Sequence, residues 1–160
     1  MPKFLRAVRL DDSDDHLFKA HGAARAYEVT GEARWREIAQ GYWDWAVPKR
    51  GYYVTGGQND GEVWTAPFTL ATRLGDKTQE HCTVYNMMRL AEYLIQWTGD
   101  VAYADYYERN LYNGILAQQH PQTGMISYWL PFNPGAHKVW GTLTQTFWCC
   151  HGSLVQAHAA

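Results

Sequence analysis

Residues 83–115 read TVYNMMRLAEYLIQWTGDVAYADYYERNLYNGI, and this stretch decides the fold class. Thr83, Met87, Leu90 and Leu94 recur at the spacing of one helix face. Thr98-Gly99-Asp100 interrupts the pattern, and Tyr103, Tyr107, Leu111 and Ile115 resume it. Helix, glycine-containing stop, helix is the pattern of an αα-hairpin. The same order occurs upstream. Leu17, Ala20, Ala24 and Tyr27 mark a helix, Thr30-Gly31-Glu32 stops it, and Trp35, Ile38, Ala39, Tyr42 and Ala46 mark the next. That second helix is predicted to end before Pro48. Thr-Gly-acid thus joins two helices twice, and the chain reads as a repeated αα-hairpin. Asp12 or Ser13 is placed to cap the first helix, with Asp14 and Asp15 at the positive end of its dipole.

Between the hairpins, residues 49–79 lose periodicity and contain Gly56-Gly57-Gln58-Asn59-Asp60-Gly61-Glu62. A connection this long without periodicity is usually functional or disordered. Residues 125–130 and 141–147 are short enough to be the strands of a β-hairpin. A further helix opens near His151 with no stop signal before Ala160, so the sequence reads as part of a longer chain. No internal domain boundary is evident.

The 160 residues suffice for one core, burying roughly 70% of the unfolded surface. Lys and Arg number 14 against 16 Asp and Glu, a net charge of −2, which argues against a nucleic-acid or anionic-membrane partner. The best apolar run is broken by Arg89 and Glu92, too short for a membrane span. Met1–Leu10 lacks the apolar stretch of a signal peptide. Eight Trp, eleven Tyr and five Phe bring the aromatic fraction to 15%, which suits either a thick helical core or a surface that meets sugars or peptides.

Three cysteines cannot all pair, and Cys149 and Cys150 are neighbours, which rules out a disulfide scaffold. Free vicinal thiols lean towards a reducing, cytoplasmic setting. Glu80 and Cys82 can converge where a loop enters a helix, and with Cys149-Cys150 they form a donor set suited to zinc. The plainer reading is three buried small hydrophobes. The spacing matches no standard zinc finger. Glu62 follows glycines in the aperiodic loop, where backbone can approach a ligand, although a lone loop acid is usually just solvated. His120 and His137 read as turn residues bonding backbone groups; His81 and His151 draw notice only by flanking the cysteines.

Taken in order, Gly56-Gly57 with Gly61-Glu62, Glu80-x-Cys82, Thr98-Gly99-Asp100 with Tyr103-Ala104-Asp105, Glu108-Arg109 with Leu111-Tyr112-Asn113, and Phe147-Trp148-Cys149-Cys150 resemble the β-L-arabinofuranosidase family, glycoside hydrolase family 127. The resemblance runs from about Ala23 to Gly152. It implies part of an (α/α)6 toroid, with residues 1–160 as a single fragment of the catalytic barrel. It implies retaining removal of terminal β-L-arabinofuranose or a related sugar from a glycan or oligosaccharide. Carried over by position, Cys149 is the nucleophile, Glu62 the general acid/base, and Glu80, Cys82, Cys149 and Cys150 the ligands of zinc (Zn2+). Many members carry a His-Ala-Asn-Thr run ahead of the first helix; Asp12-Ser13-Asp14-Asp15 stands here, which predicts an altered sugar contact. The other reading is a non-catalytic carbohydrate-binding or structural zinc-binding segment of a larger protein. An incomplete toroid leaves apolar faces uncovered, so the fragment alone is expected to be marginally stable and weakly active.

Overall fold

Two threonine–glycine junctions set the architecture. Gly31 adopts φ +70° and donates its N–H to Tyr27 O at 2.8 Å, while Gly99 adopts φ +71° and donates to Ile95 O at 2.8 Å. In each, the preceding threonine hydroxyl donates to a carbonyl four residues back, Ala26 and Leu94, at 2.7 Å. The same oxygens accept the N–H of Glu32 at 3.2 Å and of Asp100 at 3.1 Å. Left-handed glycine and threonine together satisfy groups that a helix end leaves open. The repeat read from sequence is therefore a repeat of turn chemistry.

The computed structural model describes residues 17–52 and 54–159. The candidate cap at Asp12 or Ser13 and the acidic run to Asp15 lie outside the described residues. Among the described residues the α-helices are α1 (Leu17–Thr30), α2 (Ala33–Arg50), α3 (His81–Thr98), α4 (Val101–Asn110) and α5 (Cys149–Ala159). One two-stranded antiparallel hairpin joins β1 (Asn59–Asp60) to β2 (Val63–Trp64). The fold is mainly helical. No described helix is long and apolar enough to cross a membrane.

α3 is the central element, packed by α1, α4 and α5. Thr83, Val84, Met87, Met88, Leu90, Ala91 and Leu94 are buried along it, so the helical spacing read from the sequence marks the core face. Ala20 and Ala24 are buried with no side chain beyond a methyl, which lets α1 approach closely. Trp43 of α2 meets Tyr103 and Tyr106 of α4 edge-on at 5.0 and 4.8 Å. The aromatic richness serves the core here, with each such pair contributing about 0.5–1.5 kcal/mol beyond its buried area.

Two expectations change. α2 runs through Pro48 to Arg50 rather than ending before the proline. In the last turn a proline removes one helical bond, and the chain continues because Gly51 N–H still reaches Val47 O at 2.9 Å. The β-hairpin expected over 125–147 is reduced to a single antiparallel bridge, Ser127↔Trp140. The backbone of 125–130 is engaged elsewhere, at Gln119↔Ile126, Glu80↔Trp129 and Leu130 N–H to Thr78 O. Residues 142–146 close on themselves through threonine hydroxyls: Thr146 Oγ1 accepts Thr142 N–H, and Thr142 Oγ1 accepts Gln145 N–H. Such local bonds compete with a sheet ladder.

Candidate metal centre and active site

Glu80 is the N-cap residue of α3, with extended backbone and no capping bond from its carboxylate. Cys82 lies in the first turn of α3, and Cys149-Cys150 open α5. Two helix N-termini therefore meet at one point, where their dipoles favour negative charge on thiols and carboxylates. The ligand atoms of Glu80, Cys82, Cys149 and Cys150 all lie within 4.8 Å of one another. Cys150 Sγ is 3.2 Å from Cys82 Sγ and 3.4 Å from Glu80 Oε1, and Cys149 Sγ is 3.9 Å from the same oxygen. No disulfide joins them. The N–H of Cys82 donates to Cys150 Sγ at 3.3 Å.

The proton distribution in this cluster is uneven. The thiol of Cys150 donates to Cys82, which brings Cys82 down to about 6. Burial pushes both Cys150 and Cys149 up. By themselves the thiols thus hold one negative charge readily and resist more. A coordinated dication reverses that logic by deprotonating its thiol ligands. The donor set fits such an ion. Three thiols and one carboxylate gathered within 4.8 Å are donors that would suit a borderline-soft divalent metal ion.

Glu62 sits at the tip of the β1–β2 hairpin, in a two-residue turn whose first residue, Gly61, has φ +68°. Glycine at that position suits the twist of a tight hairpin. The hydroxyl of Tyr128 donates to Glu62 Oε1 at 2.8 Å and lies 3.1 Å from Cys149 Sγ. Glu62 and Cys149, far apart in sequence, thus share one hydroxyl, and Cys149 is exposed to solvent. Burial raises the Tyr128 hydroxyl, as do its bonds to Cys149 and Glu62, so the phenol keeps its proton.

The residue-level reading did not single out Tyr128, Gln118 or Asn59. Gln118 donates to Ser127 O and Tyr128 O at 3.1 and 3.3 Å and accepts from His81 Nδ1 at 3.1 Å, tying the Tyr128 segment to α3. Burial holds His81 down at about 4, so it is neutral. Asn59 bonds Glu80. No spacing rule marks a supporting amide; only its place inside the glycine-rich run was visible. His120 accepts the N–H of Gln122 and Thr123, the turn role expected of it. His137 instead lines a cavity of about 200 Å³ whose walls include Tyr128, Trp129, Trp140, Trp148 and His151.

Comparison with known proteins places this geometry. No curated protein matches the sequence. Among solved structures, a GH127 β-L-arabinofuranosidase from Geobacillus stearothermophilus T6 superposes with a TM-score of 0.62 at 25% identity, covering 72% of this chain and 18% of that one. A family 76 glycoside hydrolase from a bovine Bacteroides thetaiotaomicron strain superposes with a TM-score of 0.59 at 20% identity, over 82% of this chain and 26% of that one, and shares the fold. The chain therefore spans about a fifth to a quarter of those structures. The family model described as "Beta-L-arabinofuranosidase, GH127 catalytic domain" matches residues 1–160. This chain belongs to the GH127 β-L-arabinofuranosidase catalytic-domain family.

Proposed function

We propose that this chain carries the reacting groups of a retaining glycoside hydrolase that releases terminal β-L-arabinofuranose or a related sugar. The observation that supports it most directly is the shared hydroxyl of Tyr128. Glu62 and Cys149 can be no further apart than the sum of their two distances to that oxygen, which admits the ~5–5.5 Å separation of a retaining pair. The aromatic cavity beside Tyr128 and Trp148 suits a carbohydrate, whose C–H faces pack on such rings.

In this reading Cys149 Sγ attacks the anomeric carbon while Glu62 gives its proton to the departing oxygen, and the carbon–oxygen bond breaks. Glu62 then takes a proton from water, the water oxygen bonds to the same carbon, and the carbon–sulfur bond breaks. Tyr128 orients Glu62 throughout by donating to Oε1. Glu80, Cys82, Cys149 and Cys150 would hold a zinc ion, whose chemistry is to keep the thiols ionised near neutral pH. We place the chain as one fragment of a catalytic barrel, over residues 1–160.

Glu62→Gln tests the acid. With an aryl leaving group that needs no protonation the expected loss is small. With a sugar leaving group the loss is roughly 10²–10⁴-fold. Equal losses on both substrates would mean that Glu62 binds rather than protonates.

A further inference from the structure

Asn59 is fully buried and uses both ends of its amide on one residue. Its Nδ2 donates to Glu80 Oε2 at 3.2 Å, and its Oδ1 accepts the N–H of Glu80 at 3.0 Å. The same Nδ2 reaches Thr83 Oγ1 at 3.3 Å, within the first turn of α3. Its backbone carbonyl accepts the N–H of Gln79 at 3.2 Å. Four contacts from one residue thus converge on residues 79–83, where the backbone bends sharply. Gln79 holds φ +48°, a left-handed conformation unusual outside glycine, and needs neighbours that enforce it.

The division of the Glu80 carboxylate is informative. Oε2 is taken by Asn59, while Oε1 faces the sulfurs of Cys149 and Cys150. A carboxylate with one oxygen fixed by an amide presents the other in a defined direction, as the partners of metal ligands generally do. Asn59 also belongs to β1, and the turn after that strand carries Glu62. One side chain therefore connects the hairpin of the acid to a ligand of the thiol cluster. Asparagine supplies donor and acceptor on one rigid plane, which an aspartate or a leucine of similar size does not.

We propose that Asn59 is a positioning residue that aims Glu80 Oε1 at the thiol cluster and locks the Glu62 hairpin onto the start of α3. This rests on the reading of Glu80, Cys82, Cys149 and Cys150 as a metal site. Asn59→Ala removes both arms. Asn59→Asp keeps the acceptor for Glu80 N–H and replaces the donor with a like charge, which turns the carboxylate away.

The test is zinc affinity of the purified chain by competition with a chromophoric chelator, beside the visible spectrum of the cobalt(II)-loaded form and a thermal melt. Both variants should bind zinc about 10–100-fold more weakly than the parent chain. In the cobalt form the thiolate-to-metal bands should persist, while the ligand-field bands shift as the carboxylate swings off. Wild-type affinity and an unchanged cobalt spectrum in either variant that melts cooperatively would overturn the proposal. Loss of the cooperative melt in both variants would also overturn it, reducing Asn59 to a folding residue. A parent chain that binds no zinc would sink the metal reading itself, and the role of Asn59 with it.

Discussion

The hydroxyl of Tyr128 is the smallest feature on which the site depends. It donates to Glu62 at 2.8 Å and touches Cys149 at 3.1 Å. Tyr128→Phe keeps the ring against Trp129 and Trp148 and removes only that oxygen. A hydrogen bond to a charged group is worth about 1.5–3 kcal/mol, so kcat/KM on a β-L-arabinofuranoside with a sugar leaving group, which needs the acid, should fall roughly 10–100-fold. Zinc content should not change, because Tyr128 lies outside the donor set. A variant with full kcat/KM would show that the hydroxyl is a bystander. The residue scale is also where sequence reading is weakest. A cysteine pair announces itself by type, whereas a tyrosine in an aromatic-rich chain becomes significant only through what it meets.

At the scale of the element, the helix junctions carry the clearest prediction. Gly31 and Gly99 both have positive φ, and a Cβ added at either would meet nothing within 4 Å. Strain alone therefore sets the cost of a side chain. Gly31→Ala and Gly99→Ala should each destabilise the chain by about 1–2 kcal/mol, read as a lower urea midpoint at constant slope. Asp100→Ala should cost about 0.5–2 kcal/mol more at the second junction, where its carboxylate accepts Ala102 N–H at 2.9 Å. Additivity of Gly31→Ala and Gly99→Ala would confirm two independent copies of one turn. These junctions were legible from sequence because their bonds are local. The expected hairpin over 125–147 was misjudged because residues 78–80, from a remote part of the chain, pair with 129–130, while a tighter local turn pairs 118–119 with 126–127.

For the whole molecule, stability should depend on pH and on metal. His21 in α1 sits against α3, its Nε2 bonded to Asn86 O at 2.9 Å, and its pKa is lowered by burial and then by the charge of Arg89. The sign follows from the protons taken up. Below the unfolded value of 6.5 the unfolded chain binds a proton that the native chain resists. Stability is therefore fully present above that pH and declines as the solution is acidified through it. His21→Gln can still donate to Asn86 and should flatten the decline; an unchanged pH profile would remove His21 from the account. A chelator should lower the melting temperature, since a ligand at 1,000 times its Kd stabilises by about 4.1 kcal/mol. The exposed Phe68, Val139, Leu143 and Phe147 sharpen this expectation, because a loosened chain offers apolar surface for association.

The sequence by itself determined the helices, their pairing into two hairpins and the identity of the sulfur and carboxylate donors. Each of these depends on contacts within a few residues or on side-chain chemistry that no fold can change. Met87, Leu90 and Leu94 are buried because their spacing puts them on one face of α3, and Gly99 is left-handed because the chain reverses there. The tertiary structure decided what those donors face. Glu80 and Cys82 open α3, Cys149 and Cys150 open α5, and only the packing of α5 on α3 brings four ligand atoms within 4.8 Å. Glu62 comes within reach of Tyr128 because Asn59 pins its hairpin to α3 and Gln118 holds the tyrosine segment. Those contacts join parts of the chain that share no local pattern, so their energies act only once the helices have packed.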